Sequence, residues 1–371
     1  MDIKIAVLSG DGIGPEVTQQ ALKILDAISE KYGHTFTFEK ASIGAIAIEE
    51  TGNPLPDETL KICSNADAIL FGAIGDPKYD NDPSSVIRPE QGLLKLRKSL
   101  NLFANIRPLI TYDDLIYKSN LKKEVIKGTD FVIYRELTSG IYFGKKALSS
   151  DESVASDTCT YSIEEIDRIA ELAFKAAMVR RKKLTLVDKA NVLETSRLWR
   201  KRVIKISKKY PKVSLNFLFV DNAAMQLILN PTQFDVILTD NMFGDILSDE
   251  ASVISGSIGL LASASIGEHS ALFEPIHGAY SKAKGKNIAN PLAAILSAAM
   301  LLDHFELFEE AEDIRNAIEK SIELSITTPD LNDKNHFSTT NVGNFIRDFI
   351  LDDSNTFYNK GNIDLGQSTI I

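Results

Sequence analysis

The sequence predicts an α/β protein with two domains and a central sheet that is parallel or mixed. Three observations support this prediction. The chain has 371 residues, short apolar runs alternate with amphipathic stretches, and several runs end at glycine or at a charged residue. This length allows two domains, or one domain with a large insertion. We expect a discontinuous first domain of residues 1–102 and 257–371, and a second domain of residues 103–256.

The first elements follow from the apolar pattern. A strand at residues 4–8 leads through a glycine turn into a helix whose first turn accommodates Pro15. Residues 36–38 alternate as a strand does, a helix begins near residue 57, and residues 68–71 form a buried strand. The glycine turn lacks the dinucleotide-binding pattern G-x-G-x-x-G because proline follows it, which excludes a standard Rossmann fold.

The central part of the chain supplies further strands, at residues 105–107, 131–134, 183–187 and 216–220. The charged residues at or just after their ends are Arg107, Arg135, Lys189 and Asp221. Ligand sites in open α/β sheets lie beyond the carboxyl ends of strands, so we expect these residues to line a cleft. Residues 146–162 are polar and lack a helical period, which indicates an exposed loop or an arm that pairs with another subunit.

The last part of the chain returns to glycine turns and to two helices, near residues 291–305 and 311–324. Its longest apolar stretch, at residues 292–302, is too short to cross a membrane. The tail from about residue 352 is polar, and we expect it to be loosely ordered.

Charge and cysteine content limit the possible partners. The net charge is −10, from 51 acidic and 41 basic residues, which argues against nucleic acid as a partner. Small anionic substrates remain possible because a local arginine cluster can override the overall sign. Cys63 and Cys159 lack metal-type spacing, and the N-terminus lacks the features of a signal peptide. We therefore expect a cytoplasmic protein with no membrane partner.

Two aspartates spaced four residues apart form the most informative motif. Asp245 and Asp249 follow an apolar strand at residues 234–238, within a run that begins at Asn241. Side chains at i and i+4 share one face of a helix, so both carboxylates can point at the same spot. Oxygen ligands suit Mg²⁺ or Mn²⁺, whereas the alternative is a solvated helix start where acidic residues favour the dipole.

Three arginines, a lysine and a tyrosine are the other candidates. Arg97, Arg107 and Arg135 could converge on a dicarboxylate or tricarboxylate, although each could also form a surface ion pair. Lys189 follows an apolar strand and is either a partly buried group for proton transfer or a solvated lysine. Tyr142 is either a second proton donor or a core aromatic residue with a bonded hydroxyl.

Together, these segments resemble the metal-dependent β-decarboxylating dehydrogenases, from residue 3 to about residue 350. This family acts on 3-isopropylmalate, isocitrate, homoisocitrate or tartrate, and its fold binds NAD without a Rossmann motif. The segment at residues 88–97 resembles the substrate helix of the branch that acts on 3-isopropylmalate. The resemblance implies NAD-linked oxidative decarboxylation of 3-isopropylmalate to 4-methyl-2-oxopentanoate in leucine biosynthesis.

The resemblance also implies roles for the candidate residues. Those expected to bind substrate are Glu90, Leu93, Leu94, Arg97, Arg107, Arg135 and Asp221, with the leucines meeting an apolar branch. Asp245, Asp249 and Asp221 are expected to bind Mg²⁺ or Mn²⁺. Lys189 accepts a proton and Tyr142 donates one. In this family Lys189 and Asp221 would come from the neighbouring subunit, so a homodimer with shared active sites is expected.

The cofactor site is implied by a loop near residue 274. By resemblance, the residues expected to bind NAD are Glu274, His277, Gly278, Lys282, Asn290 and Asp330. Lys282 departs from the aspartate that NAD-using members commonly have, and a lysine could meet the 2′-phosphate of NADP. NADP-using relatives usually follow it with tyrosine, whereas this chain has Ala283, so NAD is favoured.

Two alternatives remain open. One is a related decarboxylating dehydrogenase that acts on isocitrate, homoisocitrate or tartrate. The other is a non-catalytic regulatory subunit, although such subunits typically lose catalytic or metal positions that this chain retains.

Overall fold

The computed structural model describes residues 1–80 and 86–352. The predicted loose tail therefore lies outside the described residues, except for Asp352 itself. Within them the strands are β1 (Asp2–Gly10), β2 (Thr35–Lys40), β3 (Ala68–Ala73), β4 (Ala104–Ile110), β5 (Asp130–Glu136), β6 (Lys146–Leu148), β7 (Ala155–Asp157), β8 (Lys183–Asp188), β9 (Ser214–Phe219), β10 (Val236–Thr239), β11 (Ala262–Ile266) and β12 (Ala271–Pro275).

The α-helices of the described residues are distributed along the whole described chain. They are α1 (Gly14–Tyr32), α2 (Ala45–Thr51), α3 (Asp57–Asn65), α4 (Pro77–Asp80), α5 (Pro89–Ser99), α6 (Lys123–Ile126), α7 (Ile163–Val179), α8 (Glu194–Ser207), α9 (Val220–Leu229), α10 (Asn241–Ser252), α11 (Leu292–His304), α12 (Phe308–Glu323) and α13 (Thr339–Leu351). In the same residues, no helix is both long and apolar enough to cross a membrane.

One mixed sheet of ten strands runs through the described part of the molecule, in the order β2-β1-β3-β12-β11-β4-β5-β10-β8-β9. The four strands at one end are parallel to one another, as are the four at the other end. Between these groups, β11 and β4 pair with each other and with their outer neighbours in antiparallel fashion. The prediction of an α/β fold with a mixed central sheet is confirmed.

Alternation along the strands places apolar side chains on both faces of the sheet. Ile5 and Val7 of β1 pack with helices α1, α11, α12 and α13, whereas Leu8 packs on the other face with residues of α5. In the other half of the sheet, α7 and α8 cover one face, and α9 and α10 cover the opposite one. The division into domains at residues 102 and 257 stays a prediction.

Three expectations about individual strands need correction. Arg107 was expected at the end of its strand, but β4 continues to Ile110 because Pro108 and Leu109 also pair with β5. Strands β11 and β12 were not expected, since the small residues of β11 give a weak strand signal. Glu274, which was expected in a loop, lies in β12.

The polar segment at residues 146–162 contains a small hairpin. Strands β6 and β7 pair with each other in antiparallel fashion and form a separate two-stranded sheet. All six of their residues are exposed in the single chain. The segment is therefore an exposed hairpin, and its pairing with another subunit stays a prediction.

Candidate active site

Helix α10 presents Asp245 and Asp249 next to two buried arginines. The helix begins after Asp240, whose carboxylate accepts a hydrogen bond of 2.8 Å from the Phe243 amide. Arg135 Nη1 lies 2.6 Å from Asp245 Oδ1, and Arg107 Nη1 lies 3.2 Å from Asp249 Oδ1. The two carboxylates thus share one helical face, and each one is opposed by a guanidinium group.

The two arginines reach this site from adjacent strands. Their side chains are largely buried, with exposed fractions of 14% for Arg107 and 6% for Arg135. Burial lowers the pKa of Arg135 to about 10 and also lowers that of Arg107. The carboxylates of Asp245 and Asp249 oppose this effect, so both groups remain charged at neutral pH. The result is a cluster of buried, charged arginines whose charges are balanced by neighbouring carboxylates.

Asp245 and Asp249 are suitable ligands for a hard divalent cation. Their side chains are 37% and 73% exposed, so part of each carboxylate is open to solvent. Both offer oxygen atoms alone, which is the donor type that Mg²⁺ and Mn²⁺ prefer. The donor set therefore fits the predicted ion, but two carboxylates from one helix make only part of a coordination shell.

Arg97 joins the site from helix α5. Its Nη2 lies 2.6 Å from Oε1 of Glu274, and both side chains are mostly buried. Arg97 Nε is buried without a hydrogen-bond partner among the described residues. A buried donor of this kind is costly unless a ligand satisfies it. Arg97 can therefore receive an anionic ligand through an atom that the protein itself leaves unpaired.

A cavity of about 130 Å³ is lined by Arg97, Arg107 and Glu274 together with apolar side chains. Arg135, Asp245 and Asp249 do not line it. Its lining residues are Phe71, Ala73, Ile74, Leu93, Arg97, Arg107, Ser263, Glu274, Pro275, Ile276, His277 and Gly278. Leu93 lies one helical turn before Arg97 and is 8% exposed, whereas Leu94 is 49% exposed and does not line the cavity. The predicted apolar subsite is therefore represented in the cavity by Leu93 rather than by both leucines.

Tyr142 approaches Asp245 from the short turn after β5. Its hydroxyl donates a hydrogen bond of 2.9 Å to Asp245 Oδ2. Burial, reinforced by this hydrogen bond, raises the pKa of Tyr142. The phenol therefore stays protonated at neutral pH and can donate a proton close to Asp245.

Lys189 and Asp221 form a separate pair. Lys189 Nζ lies 2.6 Å from Asp221 Oδ1, and this hydrogen bond lowers the pKa of Asp221. In the described parts of the chain, no three His, Cys, Asp or Glu side chains form a group that could hold a metal ion. Asp221 therefore does not complete a three-carboxylate site with Asp245 and Asp249 within one chain.

A second cavity, of about 280 Å³, adjoins the first. Its lining residues are Ile13, Ser257, Ile258, Gly259, His277, Gly278, Tyr280, Ile288, Ala289, Asn290 and Asp330. Four of the six residues predicted to bind cofactor are among them. Glu274 lines the neighbouring cavity instead, and Lys282 is exposed and lines neither of the two.

The polar groups of the second cavity are prepared for a ligand. His277 Nε2 is buried and has no hydrogen-bond partner in the described residues, and burial lowers the pKa of His277. The ring is therefore neutral at pH 7 and can bond to a ligand. Asp330 Oδ2 accepts hydrogen bonds from Asn290 Nδ2 at 2.9 Å and from Ser257 Oγ at 2.6 Å. These groups fit an adenosine moiety, which needs an apolar slot with a few polar contacts.

The glycine turn after β1 supports this loop. Ile13 donates a backbone hydrogen bond of 2.8 Å to the Ala279 carbonyl oxygen. Gly12 has a φ of 59°, and a Cβ there would lie 2.0 Å from the same oxygen. Glycine is thus required because the turn packs closely against the backbone at Ala279.

Several residues of the site were not identified from the sequence. Asn105, Asn241 and Ser248 contact the two arginines of the sheet, and Tyr280 and Ile288 line the second cavity. The spacing of Ser248, three residues after Asp245 on one helical face, could have indicated it. The contacts of Asn105 depend on strand pairing, which the sequence pattern does not specify.

Comparison with known proteins gives consistent matches. The family model described as isocitrate/isopropylmalate dehydrogenase matches residues 4–346. A Bacteroides fragilis protein named 3-isopropylmalate dehydrogenase is 53% identical over 352 residues, covering 94% of this chain and 99% of that protein. One with the same name from Wolinella succinogenes is 55% identical over 330 residues, covering 88% and 91% of the two chains.

Solved structures agree with these matches. The crystal structure of isocitrate dehydrogenase from Methylococcus capsulatus has a TM-score of 0.83 and 34% sequence identity, covering 94% of this chain and all of that one (100%). A β-decarboxylating dehydrogenase from Thermococcus kodakarensis has a TM-score of 0.78 and 35% identity, covering 94% and 96% of the two chains.

Proposed function

The chain belongs to the isocitrate/isopropylmalate dehydrogenase family, and we propose that it converts 3-isopropylmalate to 4-methyl-2-oxopentanoate and CO₂ in leucine biosynthesis, with NAD as the oxidant. The main observation in favour is that Leu93 lines one cavity with Arg97 and Arg107. An apolar side chain beside two cationic ones suits a malate that carries an alkyl branch. The relatives at 53–55% identity cited above bear the corresponding name.

Substrate selection follows from the cost of burying charge. Isocitrate carries a third carboxylate where 3-isopropylmalate carries the isopropyl group. A carboxylate against Leu93 would lose its hydration without a hydrogen-bond partner, which is costly. Arg97, Arg107 and Arg135 bind the two malate carboxylates, since guanidinium groups match carboxylates in a bidentate way. Glu90 and Leu94 lie on the same helix as Leu93 but do not line this cavity, and their contact with the apolar branch is part of the proposal.

The residues predicted from the sequence to bind the metal and the cofactor keep these roles in the proposal. Asp245 and Asp249, with the partner subunit's Asp221, would hold Mg²⁺ or Mn²⁺, which lowers the pKa of the substrate hydroxyl and stabilises the charge that develops on decarboxylation. Glu274, His277, Gly278, Asn290 and Asp330 would hold NAD, with Lys282 at the exposed edge, and NAD would supply the hydride acceptor for oxidation of the substrate.

Two residues of the chain move protons. Lys189 Nζ, contributed by the neighbouring subunit as a neutral amine, accepts the proton of the substrate hydroxyl as the carbon is oxidised. Loss of CO₂ then breaks the carbon–carbon bond, and its electron pair passes into an enolate. Tyr142 Oη donates a proton to the enolate carbon, which completes the product. The active unit is a homodimer, because Lys189 and Asp221 do not join Asp245 within one chain. We place this enzyme in the cytoplasm.

Steady-state kinetics of the purified chain tests the proposal. The substrates are 3-isopropylmalate, isocitrate, homoisocitrate and tartrate, each with Mg²⁺ and with NAD or NADP. We expect the highest kcat/KM for 3-isopropylmalate with NAD, and loss of activity when EDTA removes the metal. A higher value for isocitrate would reject the substrate, and a preference for NADP would assign Lys282 to the 2′-phosphate. A chain inactive without another subunit would indicate a regulatory role.

A further inference from the structure

Two fully buried asparagines each hold one of the arginines that flank Asp245 and Asp249. Asn105 and Asn241 are both 0% exposed, in strand β4 and at the start of helix α10. Each one accepts a hydrogen bond from the Nε edge of an arginine through its side-chain oxygen, and each donates from its side-chain nitrogen to a different segment of the chain. They were not among the expected site residues.

Asn241 connects Arg135 with the turn that carries Tyr142. Its Oδ1 accepts hydrogen bonds from Arg135 Nη2 at 2.8 Å and Nε at 3.1 Å, and its backbone oxygen accepts from Nε at 2.9 Å. Its Nδ2 donates to the Ser139 carbonyl oxygen at 3.0 Å. With Nε and Nη2 occupied, Arg135 Nη1 is directed at Asp245. A single amide therefore fixes the orientation of the Arg135 guanidinium group and the position of the backbone at Ser139, three residues before Tyr142.

Asn105 connects Arg107 with strand β11. Its Oδ1 accepts a hydrogen bond of 2.8 Å from Arg107 Nε. Its Nδ2 donates to Ser263 Oγ at 2.8 Å, and at 3.3 Å to both Ala264 O and Ser265 Oγ. Arg107 Nη1 then points at Ser248 and Asp249. Asn105 makes no hydrogen bond with the turn that carries Tyr142.

We propose that Asn105 and Asn241 are positioning residues that aim Arg107 and Arg135 at the substrate carboxylates, and that Asn241 also positions Tyr142. The inference rests on the proposed function, because the arginines matter only if an anionic substrate binds between them. A guanidinium group whose Nε edge is fixed loses little further freedom when it binds a carboxylate. The two amides supply this fixed edge.

The partners of the two Nδ2 atoms differ in a way that makes the proposal testable. Asn105 donates mainly to serine hydroxyls, which can rotate and donate to a carboxylate instead. Asn241 donates to a carbonyl oxygen, which can only accept. Replacing asparagine by aspartate keeps the acceptor for arginine at both positions. At position 105 it loses the 3.3 Å contact with the Ala264 carbonyl oxygen but can accept from the two serine hydroxyls, whereas at position 241 it loses the contact with the Ser139 carbonyl oxygen without such a replacement.

The experiment measures KM and kcat for the acidic substrate, KM for NAD and Tm for matched variants. For Asn105→Ala we expect KM for the acid to rise about 10-fold, because an arginine loses a hydrogen bond that orients it, with little change in kcat. Asn105→Asp should restore KM to within about threefold of wild type. Asn241→Asp should keep KM near wild type but lower kcat about 100-fold, as expected for a misplaced proton donor. KM for NAD should not change.

A purely structural role predicts a different result. Asn344→Ala is the control, because Asn344 accepts a hydrogen bond of 2.6 Å from Lys23 between α1 and α13, away from the site. It should lower Tm while KM and kcat of the folded enzyme stay unchanged. If the Asn105 and Asn241 variants behave as this control does, the positioning roles are wrong.

A double-mutant cycle separates direct effects from effects through arginine. Binding of 3-isopropylmalate is measured by titration calorimetry. Asn105→Ala should weaken this binding in the wild-type background but have no further effect when Arg107 is already alanine. Equal effects in both backgrounds would overturn the proposal. A wild-type enzyme that rejects 3-isopropylmalate would instead overturn the proposed substrate, and the same cycle would then be run on the acid that it accepts.

Discussion

At the scale of single residues, the site consists of charges that are paired in the free protein. Asp245 accepts hydrogen bonds from both Arg135 and Tyr142, and Asp249 from Arg107. The sequence proposed all five of these residues as candidates, because carboxylates at i and i+4 and arginines beside strands are recognisable in one dimension, and the family resemblance implied a role for Tyr142. It did not identify Asn105 and Asn241, because an asparagine amide acquires its role only from the segments that strand register brings beside it.

Leu93 provides the first prediction at this scale. Leu93→Asn places an amide in the cavity beside Arg97, where it opposes an isopropyl group but can bond to a carboxylate. We expect kcat/KM for 3-isopropylmalate to fall about 10- to 100-fold, while the ratio of isocitrate to 3-isopropylmalate activity rises. Leu94→Asn is the matched comparison, since Leu94 is half exposed on the same helix and should change this ratio less. Equal effects of the two substitutions would contradict the assignment of Leu93.

Tyr142 provides the second. Tyr142→Phe removes the hydroxyl that points at Asp245, and we expect kcat to fall about 100- to 1,000-fold because a general acid is lost. KM should change little, since the arginines remain. The control is Tyr117→Phe, because the Tyr117 hydroxyl donates a hydrogen bond of 3.2 Å to the Leu331 carbonyl oxygen and not to Asp245. A Tyr142→Phe enzyme with wild-type kcat would remove Tyr142 from the mechanism.

At the scale of elements, the sequence predicted the strands whose residues are large, apolar and bounded by turns, such as β3, β5 and β8. It missed β11, where alanine and serine alternate. It also ended β4 at Arg107, just before Pro108, although the strand continues to Ile110. Both failures occur in the middle of the sheet. Packing from neighbouring strands there stabilises residues of low intrinsic strand propensity, and one-dimensional patterns do not contain that information.

Helix α10 carries a prediction about pH. Burial raises the pKa of its N-cap residue, Asp240, to about 7, against an ordinary value of 3.8. Between these values the folded state binds more protons than the unfolded state, so the free energy of unfolding falls as pH rises through this window. Asp240→Asn cannot ionise but can still accept the hydrogen bond from Phe243. The stability of this variant relative to wild type should therefore increase between pH 5 and pH 8, by about 1–2 kcal/mol.

Urea denaturation in the presence of EDTA measures this difference without interference from metal binding. Asp113→Asn is the control, because Asp113 is exposed and pairs with Lys127 at 3.2 Å on the surface. Its effect on the free energy of unfolding should be the same at both pH values. An Asp240→Asn variant whose relative stability does not change with pH would show that the carboxylate is already ionised in the folded protein at pH 5.

At the scale of the whole molecule, the sheet joins the two halves of the chain through β4 and β11. Arg107 in β4 lies beside Ser263 and Glu274 of β11 and β12 in the lining of one cavity, so that cavity contains residues from both predicted domains. The order of strands that produces this arrangement could not be read from the sequence, because β4 pairs with β11, a strand more than 150 residues further along the chain. Among the described residues of a single chain, no hydrogen bond or ion pair joins Lys189 or Asp221 to Asp245 or Asp249.

A site shared between two chains predicts that inactive variants can restore one another. An active site would combine Asp245 of one chain with Lys189 and Asp221 of the other. Chains with Asp221→Asn and with Asp245→Asn should each be inactive, but half of the dimers are hybrids after full exchange, and one site in each hybrid is intact. The mixture should recover about one quarter of wild-type activity. Mixing Asp221→Asn with Lys189→Met is the control, because both lesions lie in the same contributed pair and leave no hybrid with an intact site. No recovery in the first mixture, after exchange is verified by mass spectrometry, would mean that each chain builds its site alone. Recovery in the control would mean that Lys189 and Asp221 of one chain serve different sites.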